Sequence, residues 1–238
     1  MRAMKTLGLI GGMSWESTTH YYRELNRLVR ARVGGKHSAP LILWSVDFAP
    51  VALMQEEDRW DELAAQLAEA ARRLEQAGAE AILICANTMH RMADEVAAAV
   101  SVPLIHIAEV TADAIKRAGV KRPLLMATRY TMEQSFYRER LAKNGVEALI
   151  PGDADRARLH DMIFNELIHG VFSDAARAEF LAILEKERGA RGVDGVILGC
   201  TEFGMLAPPS VVPIPAFDTA ALHAAAGIDY ALSEGEHA

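Results

Sequence analysis

Short apolar runs alternate with longer amphipathic segments along the chain, and this alternation limits the possible folds more than any other feature. The apolar runs indicate buried strands, and the segments between them have the residue spacing of helices. Because strands that are joined through helices run parallel, this order predicts an α/β fold with mostly parallel sheets and helices on both faces. The strand-like runs are Thr6–Ile10, Pro40–Val46, Ala81–Cys85, Leu104–Ile107, Pro123–Ala127, Ala148–Ile150, Gly195–Leu198 and Val212–Ile214.

The order of elements also indicates a weak internal duplication. Cys85 and Cys200 lie at the ends of two similar apolar runs, about 115 residues apart. We therefore predict two pseudo-symmetric α/β domains, one made of residues 1–103 with 207–238 and the other of residues 104–206. A substrate site is expected at the interface of these domains, where small-molecule sites are frequent.

Composition and charge narrow the range of partners. The net charge is −7 and no cluster of Lys and Arg occurs, so neither nucleic acid nor a membrane surface is expected. No apolar run approaches the roughly 20 residues of a membrane span, and the first run is too short for a signal peptide. The two cysteines are too few for a disulfide framework or a zinc site. We expect a cytoplasmic protein with reduced thiols and no metal.

The segment VILGCTE, residues 196–202, places a thiol, a hydroxyl and a carboxylate where a buried strand ends. In open α/β sheets, ligands bind beyond the carboxyl ends of the strands. Cys200 follows a glycine and precedes Thr201 and Glu202, whereas an inert cysteine normally lies in the core. Thr201 and Glu202 are candidate substrate-binding residues. A thiol becomes reactive when its pKa is lowered at a helix N-terminus or by a cation, so Cys200 is the main candidate for catalysis.

A second strand ends in a comparable way. Asn87 and Thr88 follow the run that contains Cys85, and they offer an amide and a hydroxyl. These side chains either cap the following helix or help to bind a carboxylate, and both roles can hold together. His90 is expected on a helix surface or at the edge of the core.

Two further strand ends carry candidate binding residues. The turn after the first strand reads GGMS, which matches neither dinucleotide nor P-loop fingerprints. It is either a tight turn or a lining for a carboxylate, with Met13 and Ser14 as candidates. Thr128, Tyr130 and Thr131 follow a later strand, where they either bind an anionic substrate or cap a helix.

Five motifs together resemble the aspartate/glutamate racemase family, which is related to the hydantoin racemases. They are GLIGGMSWEST (8–18), SVDF (45–48), ANTMH (86–90), TRYTMEQ (128–134) and GCTE (199–202). GGMSWEST with TRYTMEQ is similar to the subgroup of broad-specificity amino acid racemases. The resemblance covers essentially the whole chain. It implies two α/β domains, a homodimer, aspartate, glutamate or a related amino acid as substrate, and no cofactor.

The resemblance also implies a thiol mechanism. In the family, one thiolate removes the α-proton of the substrate and a second thiol returns a proton to the opposite face of the planar intermediate. Carried over by motif, Cys200 is the main acid/base, and Asn87, Thr88 and Thr201 hold the α-carboxylate and α-amino groups. No lysine for pyridoxal phosphate is required.

The chain departs from the family pattern at two places. Ala86 stands where the family's first catalytic residue precedes Asn-Thr, and the cysteine lies one position earlier. A shift of one residue turns a strand side chain to the opposite face, so Cys85 is the weaker catalytic candidate. Val51 and Ile168 lie near positions that are basic in some aspartate racemases, so no cation is predicted there for a distal carboxylate.

Three functions remain open at this point. The first is a racemase or epimerase that works through Cys200, with water, Cys85 or a neighbouring hydroxyl on the other face. The second is a one-thiol enzyme, such as an arylmalonate-type decarboxylase, in which loss of CO2 generates a carbanion and one acid protonates it. The third is a non-catalytic amino-acid-binding protein on the same scaffold.

Overall fold

Two parallel three-stranded sheets form the framework of residues 4–233, which the computed structural model describes. The first sheet contains β1 (Leu7–Gly11), β2 (Leu41–Ser45) and β3 (Ala81–Ile84) in the order β2-β1-β3. In its register Leu7 of β1 aligns with Leu41 of β2 and with Ala81 of β3. The fully buried pattern of β1 and β3 is what continuous apolar runs in a parallel sheet produce.

The second sheet has the same construction. It contains β4 (Pro123–Met126), β5 (Gly195–Leu198) and β6 (Ala216–Asp218) in the order β4-β5-β6, with all pairs parallel. The predicted α/β class with mostly parallel sheets is confirmed.

Helices connect the strands. They are α1 (Trp15–Val33), α2 (Phe48–Glu56), α3 (Trp60–Gln76), α4 (Ala93–Ala98), α5 (Ile107–Ala118), α6 (Arg129–Glu133), α7 (Ser135–Lys143), α8 (Asp153–Asn165), α9 (Asp174–Arg191), α10 (Thr201–Leu206) and α11 (Thr219–Leu232). Short 3-10 helices cover Thr88–Met92, Leu167–His169 and Pro209–Val211. No helix within residues 4–233 is both long enough and apolar enough to cross a membrane.

Local sequence explains where several helices begin and end. Ser14 caps α1, since its side chain accepts a hydrogen bond from the Ser17 amide. The apolar stripe of α3 buries Leu63, Leu67 and Leu74, and Gly78 follows the helix with a φ of 98°, which favours glycine.

Contacts divide the described residues into two compact units. The first unit comprises residues 4–85, 92–106 and 223–233, and the second comprises residues 86–91 and 107–222. Residues 207–222 therefore group with the second unit, whereas the division predicted from the sequence assigned them to the first domain. The predicted domain boundaries stay a prediction.

Several predicted elements are wrong in detail. The run Val212–Ile214 is not a strand, because Pro213 lies within it and Pro215 follows it, and proline cannot donate to a ladder. β6 begins after both prolines, at Ala216. The residue spacing of the segment 130–144 predicts one helix, but the structure divides it at Gln134, whose ψ of 147° is extended. Helices α2 and α10 were not predicted.

Two other predicted strands shrink to single bridges. Leu104 forms one parallel bridge with Ile82, and Leu149 forms one with Leu124. Each of these segments is therefore a short extension beside a sheet rather than a full strand.

A buried histidine joins three segments of the first unit. His223 on α11 accepts a hydrogen bond from the Tyr21 hydroxyl at Nδ1 (2.8 Å) and donates from Nε2 to the Ile105 carbonyl oxygen (2.7 Å). The Ile105 carbonyl oxygen can only accept, so Nε2 carries a proton, and in the neutral ring Nδ1 accepts from the Tyr21 hydroxyl. Burial lowers the pKa of His223 from 6.5 to about 4, since the desolvated ring disfavours a positive charge.

Stability should therefore fall on acidification. Above pH 6.5 His223 is neutral in both states, whereas between pH 6.5 and pH 4 only the unfolded chain gains its proton. We expect His223 alone to lower the free energy of unfolding by about 3 kcal/mol at pH 4. Urea unfolding of the wild-type chain and of His223→Gln between neutral pH and pH 4 measures this contribution.

The variant His169→Gln, which changes an exposed histidine, provides the control. It should retain the wild-type loss of stability, while His223→Gln should show a shallower loss from a lower starting value. Equal pH dependence in wild type and His223→Gln would contradict the assignment.

Candidate active site

Polar side chains follow all three strands of the second sheet at the same edge. β4 leads into Thr128, β5 leads into Cys200 and β6 leads into Thr219. Because the three strands are parallel neighbours, their carboxyl ends meet at one edge, which is where α/β sheets bind ligands.

Gly199 permits the turn that presents Cys200. A Cβ atom on Gly199 would lie 2.7 Å from Cδ1 of Leu125 and 2.9 Å from Cβ of Ala127, both on or beside β4. Only a residue without a side chain allows β5 to leave the sheet so close to its neighbour.

The segment of residues 86–91 reaches this edge through Asn87. Nδ2 of Asn87 donates to Oγ1 of Thr219 (3.0 Å), and Oγ1 of Thr219 donates to the Leu198 carbonyl oxygen (2.8 Å). Asn87 is thereby linked to the last residue of β5, two positions before Cys200. All of these residues belong to the second unit.

Thr88 is part of a buried triangle of hydroxyls. Its Oγ1 lies 2.9 Å from Oγ1 of Thr128 and 2.9 Å from Oγ1 of Thr131, and the latter two oxygens are 3.1 Å apart. The Thr128 hydroxyl also caps α6 by accepting from the Thr131 amide at 3.3 Å. The structure therefore brings together three predicted site residues, and both alternatives for Thr128 hold: it caps a helix and belongs to the cluster.

Asn87 keeps an unused acceptor. The residue is 5% exposed, and its Oδ1 is buried without a hydrogen-bond partner among residues 4–233. Within the same residues no hydrogen bond is recorded for the backbone N–H groups of Asn87 and Thr88. A buried acceptor and two adjacent donors that the protein does not satisfy are groups that a zwitterionic ligand can satisfy.

The Cys200 thiol is held protonated. Sγ of Cys200 donates to Oε2 of Glu202 at 2.8 Å, and Glu202 itself is 3% exposed. Burial of the thiol, followed by the negative charge of Glu202 and this hydrogen bond, raises the pKa of Cys200 well above its ordinary value. Cys200 therefore has a raised pKa, the opposite of the lowered pKa that makes a thiol reactive. Cys200 keeps partial exposure as a residue, while protein atoms surround its sulfur.

Cys85 lies in a different environment. It is 1% exposed, and its Sγ lies 4.0 Å from the Leu83 carbonyl oxygen, to which it donates. Burial raises the pKa of this thiol. Ala86, the next residue, is half-buried. This pattern agrees with opposite orientations of positions 85 and 86, and it disfavours Cys85 as an acid or base. Its catalytic role stays a prediction.

The other predicted binding residues fall into two groups. Thr201 is buried beside Cys200 at the start of α10, and Tyr130 is buried with its ring edge-on to His160, 5.6 Å between centroids. Met13 and Ser14 are buried in the first unit, at the turn between β1 and α1. Their roles in binding stay predictions.

Two residues of the network were missed. Thr219 follows a strand just as Thr128 and Cys200 do, but the misplaced strand at 212–214 hid this signal. His90 was expected at a helix surface or core edge, but it is buried at 3% exposure with both ring nitrogens hydrogen-bonded. The ANTMH motif contains His90, yet nothing local reveals its partners.

The fold and the comparisons with known proteins define the chain as an isomerase of the racemase class. The chain belongs to the Asp/Glu/hydantoin racemase family, whose family model matches residues 10–227. The resemblance inferred from the five motifs is thereby confirmed.

Individual relatives cover nearly the whole chain. A crystal structure of a proposed Asp/Glu racemase from Yersinia pestis is 48% identical, with a TM-score of 0.88 over 97% of this chain and 100% of that one. An aspartate racemase homologue from Pyrococcus horikoshii OT3 is 34% identical, with a TM-score of 0.85 and the same coverage. The broad-specificity amino-acid racemase RacX of Bacillus subtilis (strain 168) is 22% identical over 90% of this chain and 93% of its own length.

Removing the charge of Glu202 should make the thiol of Cys200 more acidic. In Glu202→Gln the sulfur remains buried, but the negative charge that opposes a thiolate is gone. We expect the pH profile of alkylation by iodoacetamide to shift to lower pH and the rate at neutral pH to rise severalfold. Mass spectrometry after digestion assigns the label to Cys200 rather than to buried Cys85.

The matched control is Glu179→Gln, which removes a carboxylate that pairs with Arg158 on the same unit. It should leave the alkylation profile of Cys200 unchanged. An unshifted profile in Glu202→Gln would show that Glu202 does not set the acidity of this thiol.

Proposed function

We propose that the protein is a cofactor-independent racemase or epimerase that acts at the α-carbon of aspartate, glutamate or a related amino acid. Cys200 serves as the main acid/base. The single observation that carries this proposal is the hydrogen bond from the Cys200 thiol to the buried Glu202 carboxylate, at the strand end to which Asn87 is linked. A thiol with an adjacent buried proton acceptor is suited to give up and recover a proton.

The proton steps involve this pair and one water molecule. The Glu202 carboxylate takes the thiol proton, which leaves a Cys200 thiolate and a neutral carboxylic acid. The thiolate then removes the α-proton, so that sulfur is protonated again and the substrate carries the electron pair as a carbanion. For inversion, water on the opposite face gives a proton to the carbanion, and the resulting hydroxide takes the proton of the Glu202 carboxylic acid, which restores the carboxylate. An ammonium group on the bound substrate favours this sequence, because a nearby positive charge stabilises a buried thiolate.

The unsatisfied groups of residues 87 and 88 suit the two ends of an amino acid. Oδ1 of Asn87 is positioned as an acceptor for the α-ammonium group. The backbone N–H groups of Asn87 and Thr88 are donors for the α-carboxylate, and the hydroxyls of Thr88 and Thr201 add further donors. Met13, Ser14, Thr128, Tyr130 and Thr131 are proposed to line the remainder of the substrate site.

The substrate class follows from the relatives and from two positions of this chain. The Yersinia pestis protein is described as a proposed Asp/Glu racemase and RacX as a broad-specificity amino-acid racemase, which supports amino acids as substrates. Val51 is buried on α2, and Ile168 is half-buried in a 3-10 helix. Neither can pair with a distal carboxylate, so amino acids with neutral side chains belong in the substrate panel beside aspartate and glutamate.

A second candidate rests on a specific observation: Ala86 has no exchangeable proton, and the neighbouring Cys85 thiol is buried. In a one-thiol enzyme, loss of CO2 from a malonate-type substrate leaves a carbanion, and the Cys200 thiol protonates it from one face. Such a reaction needs no second thiol. A binding protein without catalysis is the remaining alternative.

The expected homodimer and cytoplasmic location stay predictions. Within the described residues both cysteines are free, which is typical of reducing compartments. β2 is an edge strand of the first sheet with an exposed Leu43, and an apolar sheet edge is a common site of association.

The two cysteines should differ sharply in their importance. We expect Cys200→Ser to lower exchange of the substrate α-proton with D2O by at least about a hundredfold, because a hydroxyl is a far weaker acid/base than a thiol. Cys85→Ser should retain most of the exchange. The measurement is proton NMR of L- and D-aspartate, glutamate and neutral amino acids in D2O, combined with optical rotation.

Each outcome separates the candidates. Exchange with inversion supports a racemase, and exchange with retention supports a one-sided base. Binding without exchange favours a non-catalytic relative. Equal loss in both serine variants would contradict the roles given to Cys85 and Cys200.

A further inference from the structure

His90 connects two loops of the second unit through both nitrogens of its ring. It lies in the 3-10 helix Thr88–Met92 and is buried at 3% exposure. Nδ1 donates to the Ala86 carbonyl oxygen at 2.9 Å, and Nε2 accepts from the Ile107 amide, at the start of α5, at 3.2 Å. Since a carbonyl accepts and an amide donates, the partners define one neutral tautomer, with the proton on Nδ1.

The same residue fixes two consecutive peptide groups. Its side chain binds the carbonyl of Ala86, and its own backbone N–H donates to the carbonyl of Asn87 at 3.1 Å. A peptide unit is planar, and its N–H points opposite to its C=O. Holding the carbonyls of Ala86 and Asn87 therefore sets the directions of the N–H groups of Asn87 and Thr88.

Those two N–H groups are the unsatisfied donors described above. The neighbouring Asn87 and Thr88 side chains are held separately, by Thr219 and by the hydroxyl triangle. If the hydrogen bond from Nδ1 to the Ala86 carbonyl were lost, the peptide group that joins Ala86 to Asn87 would no longer be held in its orientation. The other groups of the segment would keep their hydrogen bonds. His90 therefore controls one element of the segment that no other described contact fixes.

We propose that His90 is a positioning residue for the substrate: through Nδ1 and the Ala86 carbonyl it aims the Asn87 N–H at the α-carboxylate of the bound amino acid. This inference rests on the proposed function. It assigns no proton transfer to His90, whose ring is already engaged at both nitrogens by protein partners.

Two substitutions test the hydrogen bonds of the two ring nitrogens one at a time. In His90→Asn, the amide nitrogen lies near the position of Nδ1, so the bond to Ala86 is kept and the bond from Ile107 is lost. In His90→Gln, the amide oxygen lies near the position of Nε2, so the bond from Ile107 is kept and the bond to Ala86 is lost. Hydrogen exchange at the Ile107 amide checks this design without any reference to activity: it should accelerate in His90→Asn and remain slow in His90→Gln.

Substrate affinity should depend on the hydrogen bond from residue 90 to the Ala86 carbonyl, and not on the hydrogen bond from the Ile107 amide. We expect His90→Gln to raise KM for α-proton exchange, and Kd for L-aspartate or L-glutamate in titration calorimetry, by about tenfold. The value of kcat should change less, since the Cys200–Glu202 pair is untouched. His90→Asn should stay within about twofold of wild type in both constants, despite its altered Ile107 exchange.

His223→Gln serves as the matched control, because His223 is also a buried histidine bonded at both ring nitrogens, but with Tyr21 and Ile105 as partners. It should lower thermal stability and leave KM and Kd unchanged. This control distinguishes general destabilisation of the protein from a lost orientation of the Asn87 N–H toward the α-carboxylate.

The results distinguish the inference from the proposed function. Equal KM and Kd in His90→Asn and His90→Gln, or a larger effect of His90→Asn, overturns the positioning role even if the wild type exchanges α-protons. A wild type that binds amino acids without exchange overturns the racemase proposal, while a tenfold split in Kd between the variants still supports the role of His90. A wild type that neither binds nor exchanges any amino acid of the panel overturns both.

Discussion

The Cys200 thiol donates its proton to the buried Glu202 carboxylate at the carboxyl end of β5. Burial and the adjacent negative charge keep the sulfur protonated, and they raise the pKa of this thiol well above its ordinary value. In the mechanism that we propose, a substrate with a positive charge lowers the free-energy cost of a thiolate at this position. That mechanism ties proton abstraction to substrate binding.

In the proposed function, the segment of residues 86–91 binds the α-carboxylate and α-ammonium groups of the substrate. Although it follows β3 along the chain, its contacts group it with the second unit. Asn87 is linked through Thr219 to the end of β5, and Thr88 is linked to the hydroxyls that follow β4. Side chains placed on strand ends are held more rigidly than side chains on free loops, so binding costs less conformational entropy.

Much of this arrangement was accessible from the sequence. Parallel strands place their carboxyl ends together, so polar residues after apolar runs made Cys200, Asn87, Thr88 and Thr128 candidates without tertiary information. The structure places the Thr88 and Thr128 hydroxyls in contact and links Asn87 through Thr219 to the end of β5. The sequence also indicates that the side chains of Cys85 and Ala86 point in opposite directions, because side chains alternate along a strand. Residues that follow a correctly located strand are therefore predictable.

The rest depends on contacts between distant segments. His90 pairs with Ile107, and Thr219 follows a strand that two prolines displaced from its expected position. Desolvation and the charge of Glu202 raise the pKa of Cys200, and the position of this thiol after an apolar run predicts neither effect. The desolvation of a thiol depends on the protein atoms packed around its sulfur, and neither composition nor residue spacing predicts that packing.

The most direct test of a mechanism that relies on the single thiol of Cys200 is to introduce a second thiol at position 86. Ala86→Cys places a thiol at the position that precedes Asn87, and wild-type thermal stability would show that the fold is retained. We expect the rate of interconversion of the two enantiomers, followed by optical rotation in both directions, to rise at least severalfold over wild type. An unchanged or lower rate in a folded Ala86→Cys variant would contradict the view that Ala86 deprives this chain of its second acid/base.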